Sequence, residues 1–279
     1  MPEGHVTHRI AGELTRSFGG RVMRSTSPQG RFSDDAALFD GHVLDRSEAW
    51  GKQMFVRFQD VEEQVNIHLG LIGKFFFTPE VDPLVVGEVR WRLSTDAPPM
   101  TMDLRGAIVV AVRSPAEVAA IIAKLGPDPL RADADPEVTW TRIRKSRKPI
   151  GALMMEQTIF AGVGNIYRAE VLFRHRIDPL MQGRFLRRPE FEAMWDDLVE
   201  LMPLGVRDGR IDTVYPEHTP EAMGRDARVD KHGGEVYVYR REGLPCLVCG
   251  TPVSRADLTG RNLFWCRTCQ PRSRRRTPS

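Results

Sequence analysis

The chain has 279 residues and a mass of 31.6 kDa, and 40 Lys+Arg against 37 Asp+Glu leave a formal net charge of +3. A hydrophobic fraction of 41% with 28% charged residues is that of a globular chain long enough for two domains, which excludes a disordered polymer. No apolar run approaches the roughly 20 residues of a membrane span, and the first residues lack the basic-then-apolar pattern of a secretory signal, so the reading is a cytoplasmic protein. The small net charge conceals local bias. Arg142, Arg144, Lys145, Arg147 and Lys148 form one basic run, Arg184, Arg187 and Arg188 a second, and Arg272, Arg274, Arg275 and Arg276 a third. Three such runs in the second half point to a polyanion partner, with nucleic acid the leading candidate.

In chain order, Val6, Ile10, Leu14 and Phe18 recur every four residues, so an amphipathic helix is predicted from about Glu3 to Phe18, ended by Gly19-Gly20. From Arg21 to about Ser114 the pattern changes to short strands. These are predicted at Arg21 to Thr26, Val43 to Ala49, Met54 to Gln59, Gln64 to Leu69, Lys74 to Thr78, Val89 to Ser94 and Thr101 to Val112, which implies a sandwich or barrel. Ser114-Pro115-Ala116-Glu117 supplies an N-cap, a proline at the first helical position and a Glu at the third, opening a helix to about Leu125. Gly126-Pro127-Asp128-Pro129 stops it and marks a domain boundary.

The second half reads as mainly helical, with helices at about Pro136 to Lys145, Ile150 to Gln157, Ile166 to His175 and Pro189 to Met202. Between the second and third of these, Gly162-Val163-Gly164-Asn165 forms a tight turn at a helix start, where backbone N–H groups could seat a phosphate. A plain connector between helices, capped by the Asn, fits the same residues. Residues from about Arg207 to Gly234 read as a long mobile loop and a candidate lid. Val236-Tyr237-Val238-Tyr239 reads as a strand.

The four cysteines form two pairs, Cys246-Leu-Val-Cys249 and Cys266-Arg-Thr-Cys269, sixteen residues apart. This spacing lets two knuckles close on one tetrahedral metal, so a single structural Zn²⁺ with four thiolate ligands and no open position is expected. A basic tail from Arg272 to Ser279 follows.

These residues carry a resemblance. Pro2-Glu3-Gly4, Gly51-Lys52, His68-Leu69-Gly70, Gln157-Thr158-Ile159 running into Gly162-Val163-Gly164-Asn165-Ile166-Tyr167, Arg261 five residues before Cys266, and the closing Cys266-Arg-Thr-Cys269-Gln270 occur in one order. That order resembles the formamidopyrimidine-DNA glycosylase and endonuclease VIII (Fpg/Nei) family of base-excision repair enzymes over nearly the whole chain. The resemblance implies an α+β fold: an N-terminal two-layered β-sandwich with an N-terminal helix, then a helix-two-turn-helix domain and a C-terminal zinc-finger β-hairpin. The domains it implies are 1–126 (catalytic), 136–234 (helix-two-turn-helix), 236–271 (zinc hairpin) and 272–279 (tail).

The resemblance also implies a chemistry. An α-amino group has an unperturbed pKa of about 7.7–8.0, so a good fraction is nucleophilic near neutral pH. With Met1 removed, Pro2 would attack the sugar C1′ of a damaged nucleotide and form an iminium, after which the flanking phosphates leave by β,δ-elimination. Glu3 would serve proton transfers and Lys52 would assist from its hairpin. Asn165 and Arg261 would clamp phosphates, His68 and Tyr239 would make weaker phosphate contacts, Leu71 would wedge into the duplex, and Arg105 would face the orphaned base. The implied partner is double-stranded DNA containing damaged bases or abasic sites, bound by a monomer with no membrane association and associated with the nucleoid when on DNA.

The sequence departs from the family pattern in two places. His5-Val6-Thr7 lacks the second glutamate common after the Pro-Glu pair, and Asp103-Leu104-Arg105-Gly106 lacks the aromatic wedge of that loop. Pro-Glu-Gly and the missing aromatic lean toward the endonuclease VIII branch and oxidised pyrimidines. The alternative is a non-catalytic binder of damaged or abasic DNA on the same scaffold. A zinc-ribbon interaction protein without a DNA role would account for the cysteines alone.

Overall fold

The computed structural model describes residues 2–230 and 233–274. They form two compact units, one containing Pro2 and Val6–Lys124, the other Glu3–His5 and the chain from Leu125. Among the described residues no helix is long and apolar enough to cross a membrane.

Helix α1 (Gly4–Phe18) belongs to the first unit from Val6 onward and buries Ala11, Leu14 and Phe18. Gly20, at φ +75°, turns the chain out of the helix. Eight strands follow: β1 (Arg24–Thr26), β2 (Leu44–Trp50), β3 (Gln53–Phe58), β4 (Gln64–His68), β5 (Lys74–Thr78), β6 (Val89–Asp96), β7 (Pro99–Arg105) and β8 (Val109–Arg113). They make two four-stranded antiparallel sheets, ordered β1-β6-β7-β5 and β2-β3-β4-β8. Trp91, Leu93, Met102 and Leu104 of the first share one core with Met54, Val56, Val65 and Ile67 of the second, so the sheets are two layers over common apolar residues.

Three sequence expectations are corrected here. Thr101 to Val112 is not one strand. Gly106, at φ +65°, breaks it into β7 and β8, which belong to different sheets. A helical turn, α2 (Ser33–Ala37), interrupts the β pattern because its apolar flanks Phe32 and Phe39 pack against Trp91 and Phe58. Strand β1 starts at Arg24 rather than Arg21, with only an isolated bridge at Val22. The helix after β8, α3 (Pro115–Ala123), has the expected reciprocal cap. Ser114 Oγ accepts from Glu117 N at 3.3 Å, and Glu117 Oε2 accepts from Ser114 N at 2.9 Å.

The second unit contains α4 (Pro136–Ile143), α5 (Ile150–Leu153), α6 (Asn165–Arg174), α7 (Arg188–Asp208), α8 (Pro220–Met223) and a hairpin of β9 (Ser254–Leu258) with β10 (Arg261–Trp265). One apolar core joins α4 to α7 with Val236–Tyr239, Phe264 and Cys266. Here too the periodicity misplaced some ends. Helix α5 stops at Leu153 instead of Gln157, whose amide serves the following turn by accepting from Gly162 N and donating to the Val163 carbonyl. Helix α7 continues through Pro203 to Asp208, and Gly209 at φ +71° ends it.

Two further readings fail on long-range partners. The stretch from Arg207 to Gly234 is not a free loop or lid. It holds a 3₁₀ turn at Pro216–His218 and α8, and is anchored by Arg174 to the Thr213 carbonyl and by the Arg225–Glu235 and Arg228–Asp230 ion pairs. Val236–Tyr239 is not a strand. The Tyr237, Val238 and Tyr239 N–H groups all donate to the buried Glu170 carboxylate, at 2.6, 2.9 and 2.8 Å, and no ladder can form when three successive amides turn to one acceptor. In the tail, Ser273 N donates to Asp178 Oδ2 at 2.8 Å, while 275–279 and Met1 lie outside the described residues.

Candidate nucleic-acid interface

In the first unit, Pro2 is half-buried. Lys52 sits in the two-residue turn joining β2 to β3, where Gly51 at φ +59° supplies the left-handed conformation such a turn requires. His68, at the end of β4, lies across from that turn, with Nδ1 2.8 Å from the Lys52 carbonyl. A carbonyl only accepts, so Nδ1 carries the proton and fixes the turn. The loops after β4 and β7 pack together. A Cβ on Gly70 would meet Ile108 at 2.7 Å, and one on Gly106 would meet Ile72 at 3.1 Å. The result is an exposed apolar tip: Leu71, Ile72 and Ile108 are 60%, 72% and 61% accessible. Ile72 and Ile108 were missed from sequence; for Ile72 the apolar pair between Gly70 and Gly73 was the available signal, and for Ile108 there was none.

Arg105 is held behind this tip. Its guanidinium lies 4.3 Å from the Phe76 ring centroid and donates to Asp103, which is itself bidentate with buried Arg92 at 2.7 and 2.9 Å. Phe76, on β5, thus places an aromatic ring against Arg105.

In the second unit, Glu3 is fully buried and its carboxylate accepts from the amides of Gly164 at 2.9 Å, Ile166 at 2.7 Å and Tyr167 at 3.4 Å. These are the donors that the glycine turn was expected to offer a phosphate. The correction is physical: a carboxylate from 161 residues away already fills the positive end of α6. Asn165 donates through Nδ2 to the Asn262 carbonyl at 3.0 Å and accepts from Arg168. Arg168, missed from sequence, is wholly buried and also donates to the Asn262 carbonyl at 2.7 Å. Burial pushes its pKa down to about 10, against the opposing pull of Glu3, so it stays charged at neutral pH. Asn262 follows Arg261, so both α6 side chains hold the hairpin at the residue beside Arg261, which is exposed at the start of β10. Tyr239 is buried edge-on against Phe264, 5.5 Å between centroids. Burial raises its pKa above the ordinary tyrosine value.

The four cysteine sulfurs all lie within 4.8 Å of one another, with Cys246 to Cys269 at 3.8 Å and Cys249 to Cys266 at 3.4 Å. A tetrahedral ion with metal–sulfur bonds of about 2.3 Å requires sulfurs about 3.8 Å apart, so the donor set fits one structural metal. Of the basic side chains, Lys148 is paired with Glu156 and Arg188 with Glu137 and Glu192, so two members of the basic runs are committed to neighbours. A groove of about 560 Å³ along α7 and 207–216 contains none of the candidate residues.

A two-layered β unit, a helical unit capped across its glycine turn, and a four-cysteine hairpin docked on that turn define a helix-two-turn-helix, zinc-finger DNA-repair architecture. The domain model described as the formamidopyrimidine-DNA glycosylase H2TH domain matches residues 125–215, and the zinc finger found in FPG and IleRS matches 243–272. The chain is 48% identical over 277 residues to endonuclease 8 1 of Mycobacterium tuberculosis, covering 97% of this chain and 100% of that one. It is 32% identical over 210 residues to a formamidopyrimidine-DNA glycosylase of Synechococcus, covering 74% and 72%. Among solved structures, the Fpg of Lactococcus lactis in complex with abasic-site DNA superposes with a TM-score of 0.78 at 21% identity, covering 97% and 100%. The Fpg of Thermus thermophilus superposes with a TM-score of 0.74 at 26% identity, covering 98% and 100%. The chain belongs to the Fpg/endonuclease VIII family of DNA glycosylases, on its endonuclease VIII-like side.

Proposed function

We propose that this protein is a bifunctional DNA glycosylase and AP lyase that removes oxidised bases, pyrimidines above all, from double-stranded DNA. Once Met1 is removed, the Pro2 nitrogen attacks C1′ of the extruded nucleotide, and the base leaves with the electrons of its glycosidic bond and a proton; the C1′–O4′ bond then opens, its electron pair and a proton staying on O4′, as the nitrogen lone pair forms the C1′=N⁺ bond. The resulting iminium acidifies the C2′ hydrogen, whose loss expels the 3′ phosphate, and a second elimination expels the 5′ phosphate. Lys52 meets the phosphate flanking the lesion. Glu3 handles protons at the sugar. Asn165, through the second N–H of its amide, and Arg261 clamp neighbouring phosphates, with His68 and Tyr239 in support. Leu71, with Ile72 and Ile108, fills the gap left by the extruded nucleotide, and Arg105 meets the orphaned base. The ion held by Cys246, Cys249, Cys266 and Cys269 is one Zn²⁺, which lends the hairpin rigidity and takes no part in the reaction.

The observation that carries this reading is the anchoring of Glu3 to the start of α6, because it ties the residue after Pro2 to the turn that bears Asn165. The test is sodium borohydride trapping on duplexes carrying oxidised pyrimidines, oxidised purines or abasic sites, read by intact mass. A covalent adduct on the processed protein, strongest with pyrimidine lesions and absent when an N-terminal tag keeps the amine acylated, is expected. Binding to abasic DNA with no adduct would support the non-catalytic alternative.

A further inference from the structure

Helix α7 carries a glycine where helical preference argues against one, since Gly is about 1 kcal/mol less favourable than Ala inside a helix. At Gly205 a Cβ would overlap the Tyr167 hydroxyl and stand 3.2 Å from Cγ and Cδ2 of His5. The two rings meet edge-to-face, 5.5 Å between centroids, and both residues are buried. The Tyr167 hydroxyl is fully buried and has no hydrogen-bond partner among the described residues. A buried, unsatisfied hydroxyl costs about 1–3 kcal/mol, so nothing about stability asks for Tyr in place of Phe here. What the hydroxyl does is reach α7.

The two residues before His5 are held as well. Glu3 binds the amides of Gly164, Ile166 and Tyr167, and Gly4 N donates to the Gly162 carbonyl at 2.8 Å. A Cβ on Gly4 would meet Gly162 Cα at 2.7 Å, so the backbones are in direct contact. Glu3, Gly4 and His5 therefore each have a separate hold, and the third is closed by Gly205 through Tyr167 and His5.

We infer that Gly205 and Tyr167 are positioning residues for the reaction, setting through His5 the direction in which the Glu3–His5 segment presents the adjoining Pro2 amine. The inference rests on the role proposed for Pro2. A methyl group at Gly205 pushes the Tyr167 hydroxyl and the His5 ring, and the displacement passes to a segment with no slack at Glu3 or Gly4. The added methyl group acts on the side chains of Tyr167 and His5, neither of which is proposed to meet a phosphate, so DNA affinity is not expected to follow.

The experiment is a double-mutant cycle with Gly205→Ala and Tyr167→Phe, reading single-turnover borohydride trapping at saturating abasic-site DNA beside Kd for the same duplex. Gly205→Ala is expected to slow trapping by about 10- to 100-fold, as a misplacement on the ångström scale does. Kd should stay within about twofold, the scatter expected for uncoupled sites. Added to Tyr167→Phe, which removes the overlapping oxygen, Gly205→Ala should cost much less. A parent protein that is never trapped overturns the reading of Pro2 itself. A trapped parent with Gly205→Ala at the parental rate, or with Kd and trapping lost together and no relief from Tyr167→Phe, overturns this inference alone. Should Gly205→Ala not fold, His5→Ala carries the test: slowed trapping at unchanged Kd supports the inference, and trapping at the parental rate overturns it.

Discussion

Gly164 N donates to the Glu3 carboxylate at 2.9 Å across 161 residues of sequence. A Cβ on Gly164 would overlap Glu3 Cδ, with Oε1 only 2.8 Å away. The close approach therefore depends on glycine at that position. Gly164→Ala should reduce borohydride trapping on abasic DNA by about two orders of magnitude if Pro2 is the nucleophile as proposed, because displacement of Glu3 moves the segment that adjoins Pro2. Glu3→Gln should fall less in thermal stability than Glu3→Ala, since an amide oxygen still caps an orphan amide of α6. Equal melting temperatures for both variants would remove the cap from the account.

The apolar tip formed by Leu71, Ile72 and Ile108 predicts a dependence on substrate. Extruding a paired nucleotide costs a few kcal/mol, and less where the base is already missing. Leu71→Ala with Ile72→Ala should therefore slow excision of a paired oxidised base clearly more than cleavage at an abasic site. Comparing single-turnover rates on the two duplexes checks this, and an equal loss on both would assign the tip a general binding role.

The sulfur geometry predicts how metal removal acts. Chelation should weaken binding to abasic-site DNA first, with loss of cleavage following from weaker binding and recovering at higher protein concentration. Metal-free protein that binds normally but cannot cleave would contradict the division of labour between hairpin and amine. Replacement of Arg261 with Ala should reproduce the binding defect with metal content unchanged, as measured by elemental analysis.

A pH dependence follows from Asp197 on α7. Its burial pushes its pKa up, but hydrogen bonds and charge from His175 and Arg174 outweigh burial, and the net shift is downward. A depressed carboxylate contributes stability that is full above the unfolded value of about 3.9 and is lost as pH falls through the folded value. Asp197→Asn should cost about 3–5 kcal/mol near neutrality, where it leaves Arg174 buried without its partner. The melting-temperature gap to the parent should narrow as pH drops below about 4. A gap constant to lower pH would exclude the linkage.

Local patterns were readable where the partner lies a few residues away. The Ser114–Glu117 cap, the α1 stripe and the cysteine knuckles each depend on spacing within one turn or loop. Misreadings arose where a distant charge decides. The amides at the start of α6 looked available because Glu3 lies at the other end of the chain. The 207–234 region looked loose because the partners of its charges, such as Glu235 for Arg225, become apparent only in three dimensions. Arg168 was passed over for the same reason: its distant partner is the Asn262 carbonyl, 94 residues away, which no helical periodicity reveals, although Asn165 three residues back on α6 is within reach of that periodicity. Ile72 and Ile108 come from separate loops that only the fold brings together.

Glu170 bears on what changes of length the chain can accept. Its buried carboxylate binds three consecutive amides, from Tyr237 to Tyr239, and the Thr213 hydroxyl at 2.7 Å. A single-residue deletion or insertion within 236–239 would shift every later residue by one place and leave a buried carboxylate facing the wrong amides. The turn at Thr259-Gly260, which joins β9 to β10 at the exposed tip of the hairpin, is held by Asp257, whose Oδ1 accepts from Gly260 N at 3.0 Å, but it has no buried charge to satisfy. Lineages related to this chain should therefore vary in length at hairpin tips and keep 236–239 at constant length, even where the side chains there differ.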